Sequence, residues 1–78
     1  MLAAALEHLV KGIVDNPDEV QVVAKTSPRG DVLEVRVHPE DLGRVIGRAG
    51  RTAKALRTLV SALADGRKVR VDVVDTDF

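Results

Sequence analysis

Gly43-Arg44-Val45-Ile46-Gly47-Arg48-Ala49-Gly50-Arg51-Thr52-Ala53-Lys54 decides how the rest of the chain is read. An apolar pair, Val45-Ile46, runs into Gly-x-x-Gly at 47–50, and a helical pattern opens at once behind it. Five of the twelve Lys and Arg residues (Arg44, Arg48, Arg51, Lys54 and Arg57) fall between Leu42 and Ala64, a span with no Asp or Glu. A tight glycine turn at a helix N-terminus leaves backbone N–H groups free, and the helix dipole adds partial positive charge there. Such a place suits an anion. The pattern points to the sugar-phosphate backbone of a single-stranded nucleic acid.

Working outward, the residues before the turn read as a short helix. Pro39-Glu40-Asp41 supplies a start, with proline near the first position and acids in the first turn. Gly47 and Gly50 keep it short. From Arg51 a longer helix runs, with Thr52, Leu56, Leu59, Val60 and Leu63 expected on its apolar face. Arg51, Lys54 and Arg57 share the other face, and Ala64-Asp65-Gly66 closes the helix.

Upstream, Leu2, Leu6, Leu9, Val10 and Ile13 form the stripe of an amphipathic helix, expected to run until Asp15-Asn16-Pro17. Two alternating strands follow. The first has Val20, Val22 and Ala24 inward; the second has Leu33, Val35 and Val37 inward. Thr26-Ser27-Pro28-Arg29-Gly30 joins them with turn residues, so an antiparallel hairpin is expected. A third strand carries Val69, Val71 and Val73 inward, and the closing stretch from Asp72 to Asp77 is acidic. The fold class is therefore α+β in the order α-β-β-α-α-β, with a three-stranded mixed sheet bearing its helices on one face. No linker, repeat or low-complexity stretch interrupts 1–78, which reads as one domain.

Composition narrows the function. Seventy-eight residues lie near the lower size for an unstapled core, and the absence of Cys removes disulfides and thiolate metal sites. With one Phe and no Trp or Tyr, packing is aliphatic and base stacking on aromatic platforms is nearly excluded. Net charge is zero, so charge distribution matters more than its sum. No run approaches the roughly 20 apolar residues of a membrane span. The N-terminal Met1-Leu2-Ala3-Ala4-Ala5-Leu6 lacks a basic region before it and soon meets Glu7 and Lys11, so it reads as mature protein, with the cytoplasm the expected compartment. His8 and His38 have no spaced partner that suggests a metal site, and Glu40-Asp41 is better explained by capping than by acid–base chemistry. No nucleophile–base pair or cofactor motif appears, so an enzyme is not expected and no cofactor is assigned.

Three phosphate-binding patterns compete for the glycine turn. A P-loop requires G-x-x-x-x-G-K-[ST], but Val45 stands at its first Gly and Arg51 at its Lys. The dinucleotide fingerprint requires G-x-G-x-x-G after a strand; Val45 again replaces a glycine, and a helix precedes it. A helix, an apolar pair, G-x-x-G and a second helix within a β-α-α-β unit are all present. In this the chain resembles a KH domain, with Val45-Ile46-Gly47-Arg48-Ala49-Gly50 as the signature. Its leading helix and strand resemble the bacterial type II arrangement, and its length resembles the small stand-alone KH proteins of the KhpA type.

That resemblance implies a groove that grips about four nucleotides, with the GxxG loop clamping the backbone. Gly47 and Gly50 would permit the turn. Arg48, with Arg44, Arg51 and Lys54, would supply charge to phosphates, and Val45, Ile46 and Ala49 would line the site, Ile46 being open to a core role instead. The Thr26–Gly30 loop would match the variable loop on the opposite rim, with Arg29 an auxiliary contact. The resemblance further implies a homodimer or a pairing with a larger KH-domain protein. RNA chaperoning or post-transcriptional control, and cell-shape and cell-wall regulation, are the roles implied. A docking module with little direct RNA binding is the alternative, favoured by neutral charge and by Val23 and Val32 on the sheet's outer side.

Overall fold

The computed structural model describes residues 2–74. Six main elements follow one another: α1 (Leu2–Lys11), β1 (Gln21–Ser27), β2 (Gly30–Arg36), α2 (Leu42–Ile46), α3 (Arg51–Leu63) and β3 (Val69–Val73). The strands form one sheet in the order β1-β2-β3, with β1 antiparallel and β3 parallel to the central β2. This is the expected α+β architecture. Of the acidic closing stretch, the part beyond Val74 lies outside the described residues.

Alternation along the strands produces the core. Leu33 sits opposite Val71 and Ala24, and Val35 opposite Val73 and Val22, so one sheet face is continuous aliphatic surface. Leu6 and Val10 from α1, Val45 from α2, and Leu56 and Val60 from α3 close over it. The other face is polar: Glu34 pairs with Lys25 at 3.2 Å and lies 4.0 Å from Arg36.

Three expectations need correcting. Helix α1 ends at Lys11, not at Asp15, because Gly12 closes the last turn on the carbonyls of His8 and Leu9 and the next residues are drawn away to Asp41. Ile13, beyond the end of α1, is exposed rather than buried, and so is Leu9 within it. On α3 the buried stripe is Ala53, Leu56, Val60 and Ala64, while Leu59 and Leu63 remain 48% and 57% exposed. Small alanines thus take the buried face of α3, and the two leucines turn outward. Ala24 is exposed as well, since it lines an open cleft of about 630 Å³ between the start of α1 and the end of α3.

Among the described residues, no helix is long and apolar enough to cross a membrane.

Candidate nucleic-acid interface

The 43–54 segment folds as two helices separated by a turn with three positive-φ residues. Helix α2 closes with the Gly47 N–H on the Gly43 carbonyl at 2.8 Å. Gly47 then takes φ 78° and ψ 171°, a region open essentially to glycine alone. A Cβ there would lie 2.7 Å from both the Cβ and the backbone N of Thr52, so conformation and space both require glycine. Arg48 to Gly50 make one 3₁₀ turn, in which Ala49 is held left-handed at φ 56° and Gly50 at φ 75°. The Gly50 N–H bonds the Gly47 carbonyl at 3.1 Å. No side chain caps α3; the Arg51 N–H bonds the Arg48 carbonyl, and the positive end of the helix dipole faces this turn.

Arg48, Arg51 and Lys54 are exposed around the turn, and none has a salt-bridge partner among the described residues. Arg44 differs: its guanidinium pairs with Asp15 at 3.1 Å. The apolar pair divides its work. Val45 is fully buried in the core and supports the turn from beneath, whereas Ile46 is 38% exposed and gives the site its apolar surface. Ile46 is thus not a core residue.

The profile of the KhpA/KhpB KH-domain family matches residues 3–74, which take in every element of the sheet and the helix–GxxG–helix corner. The chain belongs to the KhpA/KhpB KH-domain family. It is 84% identical over 75 residues to the RNA-binding protein KhpA of Leifsonia xyli subsp. xyli, covering 96% of this chain and 99% of that protein. It is 71% identical to RNA-binding protein KhpA of Streptomyces coelicolor, covering 99% of this chain and 96% of that protein. RNA-binding protein KhpA of Mycobacterium tuberculosis is 68% identical, over 94% of this chain and 90% of its own length. No solved structure matches.

Within this KH fold, Arg57 has a place the sequence did not reveal. Its Nε donates to the Val71 carbonyl at 3.3 Å, so the guanidinium bridges α3 to the edge strand β3. Arg57 therefore reaches the edge strand, and Arg51 and Lys54 share its helix face. Helical spacing alone does not indicate which strand a basic face lies beside.

Arg29 is not brought to the GxxG turn. It stands at the start of β2, while α2 and the GxxG turn follow the end of β2; seven strand residues separate those ends by roughly 23 Å. The Thr26–Gly30 turn meets the α3–β3 loop instead, where the Asp31 N–H bonds the Lys68 carbonyl at 2.9 Å.

Asp41 is the buried polar residue of the described core, 1% exposed. Its carboxylate accepts from the Asp15 N–H at 3.1 Å, the Asn16 N–H at 3.0 Å and Asn16 Nδ2 at 3.1 Å. Burial alone would raise its pKa. The bond from the Asp15 N–H, the two from Asn16 and the charge of His38 outweigh it, so the carboxyl is held below its usual value. Asp41 precedes α2 directly, so it fastens the α1–β1 connection to the base of the GxxG corner and brings Asp15 beside Arg44. His38 caps the same turn, its Nδ1 accepting from the Glu40 N–H at 3.0 Å. Among the described residues no His, Asp and Glu side chains gather in a group that could hold a metal ion.

Proposed function

We propose that this protein binds single-stranded RNA, holding the sugar-phosphate backbone at Gly47–Gly50 and the bases over Ile46, beside the basic face of α3. The observation that carries this reading is the glycine turn itself: the start of α3 has no side-chain cap, and Arg48, Arg51 and Lys54 surround it without a salt-bridge partner among the described residues. The relatives' designation as RNA-binding proteins supports it. With three or four charges engaged, log Kd should vary with log salt by roughly 0.7 per phosphate. RNA chaperoning or post-transcriptional control is the cellular role we infer, with cell shape and cell-wall growth the processes it serves.

The test places two carboxylates where phosphates should lie. An Arg48→Asp/Ala49→Asp variant keeps its far-UV circular dichroism and melting temperature near those of the wild type and loses RNA binding. Unchanged RNA affinity in that folded variant refutes the clamp.

A second reading, docking to another protein chain, is favoured by Leu59 and Leu63 exposed on α3. A second copy or a larger KH-domain protein is the partner we infer. Sedimentation across concentration tests it, with a Leu59→Ser/Leu63→Ser variant as control. A wild-type chain that stays monomeric and captures no KH partner removes this reading.

A further inference from the structure

At the pole opposite the GxxG turn, Arg29, Arg67, Lys68 and Arg70 line an open depression of about 470 Å³ together with Ser61 of α3. Four cations thus meet with no carboxylate among the lining residues. Arg67 is held by Asp31 at 2.5 Å, while Arg29, Lys68 and Arg70 have no salt-bridge partner among the described residues. Like charges this close repel unless an anion lies between them. The fold nevertheless keeps them together. Gly30, at φ 129°, presses the hairpin turn so tightly on the α3–β3 loop that a Cβ there would come within 2.6 Å of the Lys68 carbonyl. The Asp31 N–H bond to that same carbonyl secures the contact. Two segments distant in sequence are locked side by side, and each brings cations.

The depression is also connected to the site already described. Arg51, Lys54, Arg57 and Ser61 recur at three- and four-residue steps along α3, so they form one row from the GxxG turn down to it. Arg57 ties that row to Val71 of β3. From Arg51 to Ser61 the row is roughly 15 Å long. A basic turn at one end and a basic depression at the other are thus joined by a row of cations along α3.

We propose that this depression is a second phosphate-binding site, which takes the backbone of the same RNA strand beyond the nucleotides held at the GxxG turn. The ligand class is a phosphodiester chain, gripped by Arg29, Lys68 and Arg70 through charge and without base reading. The inference rests on the RNA-binding reading above and adds to it a longer footprint: about four nucleotides at the clamp, with further phosphates at the far pole.

The test uses oligouridylates of about four and about ten nucleotides and an Arg29→Ala/Lys68→Ala/Arg70→Ala variant, with Arg67 left on Asp31. The wild-type chain binds the longer oligonucleotide more tightly than the shorter. The variant binds the shorter one as the wild type does, loses roughly tenfold on the longer one at low salt, and shows a salt slope smaller by about 2, three contacts at roughly 0.7 each. Equal wild-type affinity for both lengths overturns the proposal, as does a variant that keeps the full gain with length. The Arg48→Asp/Ala49→Asp variant run beside it separates the two sites. Loss of both oligonucleotides there supports the clamp, and unchanged binding counts against the clamp rather than the pole. Amide chemical shifts of the wild-type chain give a reading without any substitution. Ser61, Lys68 and Arg70 move with the longer oligonucleotide and stay fixed with the shorter; if they stay fixed with both, the second site does not exist.

Discussion

The carboxylate of Asp41 takes two hydrogen bonds from Asn16, one from its backbone N–H and one from its side-chain amide. Through this pair the segment that leaves α1 is fastened to the residue that starts α2. Replacement by Ala leaves three part-buried donors without their acceptor, and Asn can offer only one oxygen. Asp41→Ala should therefore lower the urea midpoint clearly, and Asp41→Asn less so. A midpoint unchanged in both would show that the junction holds without the carboxylate.

The same residue sets an acid limit on stability. Its pKa in the folded chain lies below the ordinary 3.8. A carboxyl depressed in this way contributes fully above the unfolded value, and that contribution is lost as pH falls through the folded value. Stability of the wild type should fall with acid below about pH 4, and Asp41→Asn should flatten that dependence. Urea titrations between acid and neutral pH compare the two; parallel curves would assign the acid sensitivity to other carboxylates.

The two glycines of the turn should not be equivalent. Gly47→Ala meets both a glycine-only conformation and the Thr52 backbone, at a cost of about 1–3 kcal/mol for the conformation before any overlap. Gly50→Ala has open space around its new methyl group, leaving only the left-handed penalty of about 1–2 kcal/mol. Chemical denaturation should rank Gly47→Ala as the more damaging. The reverse order would mean that the turn relaxes around Thr52.

How far the sequence told this in advance varies by element. The glycine turn, the strand order and the inward Leu33, Val35 and Val71 were legible, because positive-φ demand and period-two alternation are local signals. The rotation of α3 was not. Its apolar residues cover more than half the helix, so periodicity alone could not choose Ala53 and Ala64 over Leu59 and Leu63. Asp41 read as a first-turn acid, and nothing local marked its partners twenty-five residues upstream. Arg29 is expected on the rim opposite the clamp, and the parallel pairing of β2 with β3 sets its turn beside Lys68, a neighbour that nothing local in the sequence marked.

Ala49 holds a left-handed conformation without being glycine, at φ 56°. Ala49→Gly removes about 1–2 kcal/mol of backbone strain and adds back roughly 0.5–1 kcal/mol through the freer unfolded chain. The net change should be a gain of up to about 1.5 kcal/mol, read as a higher denaturation midpoint. A loss of stability would mean that the Ala49 methyl group makes packing contacts that outweigh its strain.

Arg44 and Asp15 allow the last test, because the ion pair occupies a cation at the edge of the proposed clamp. Both side chains are largely exposed, so the pair itself contributes little to stability. Asp15→Asn keeps the backbone N–H that Asp41 needs and removes only the charge facing Arg44. The melting temperature should therefore hold, while RNA affinity rises by about twofold to fivefold and the salt slope steepens by up to about 0.7. Arg44→Ala should move both in the opposite direction, and in that background Asp15→Asn should lose most of its effect. If Asp15→Asn strengthens binding equally with Ala at position 44, the gain is a general loss of negative charge, and Arg44 does not touch the phosphates.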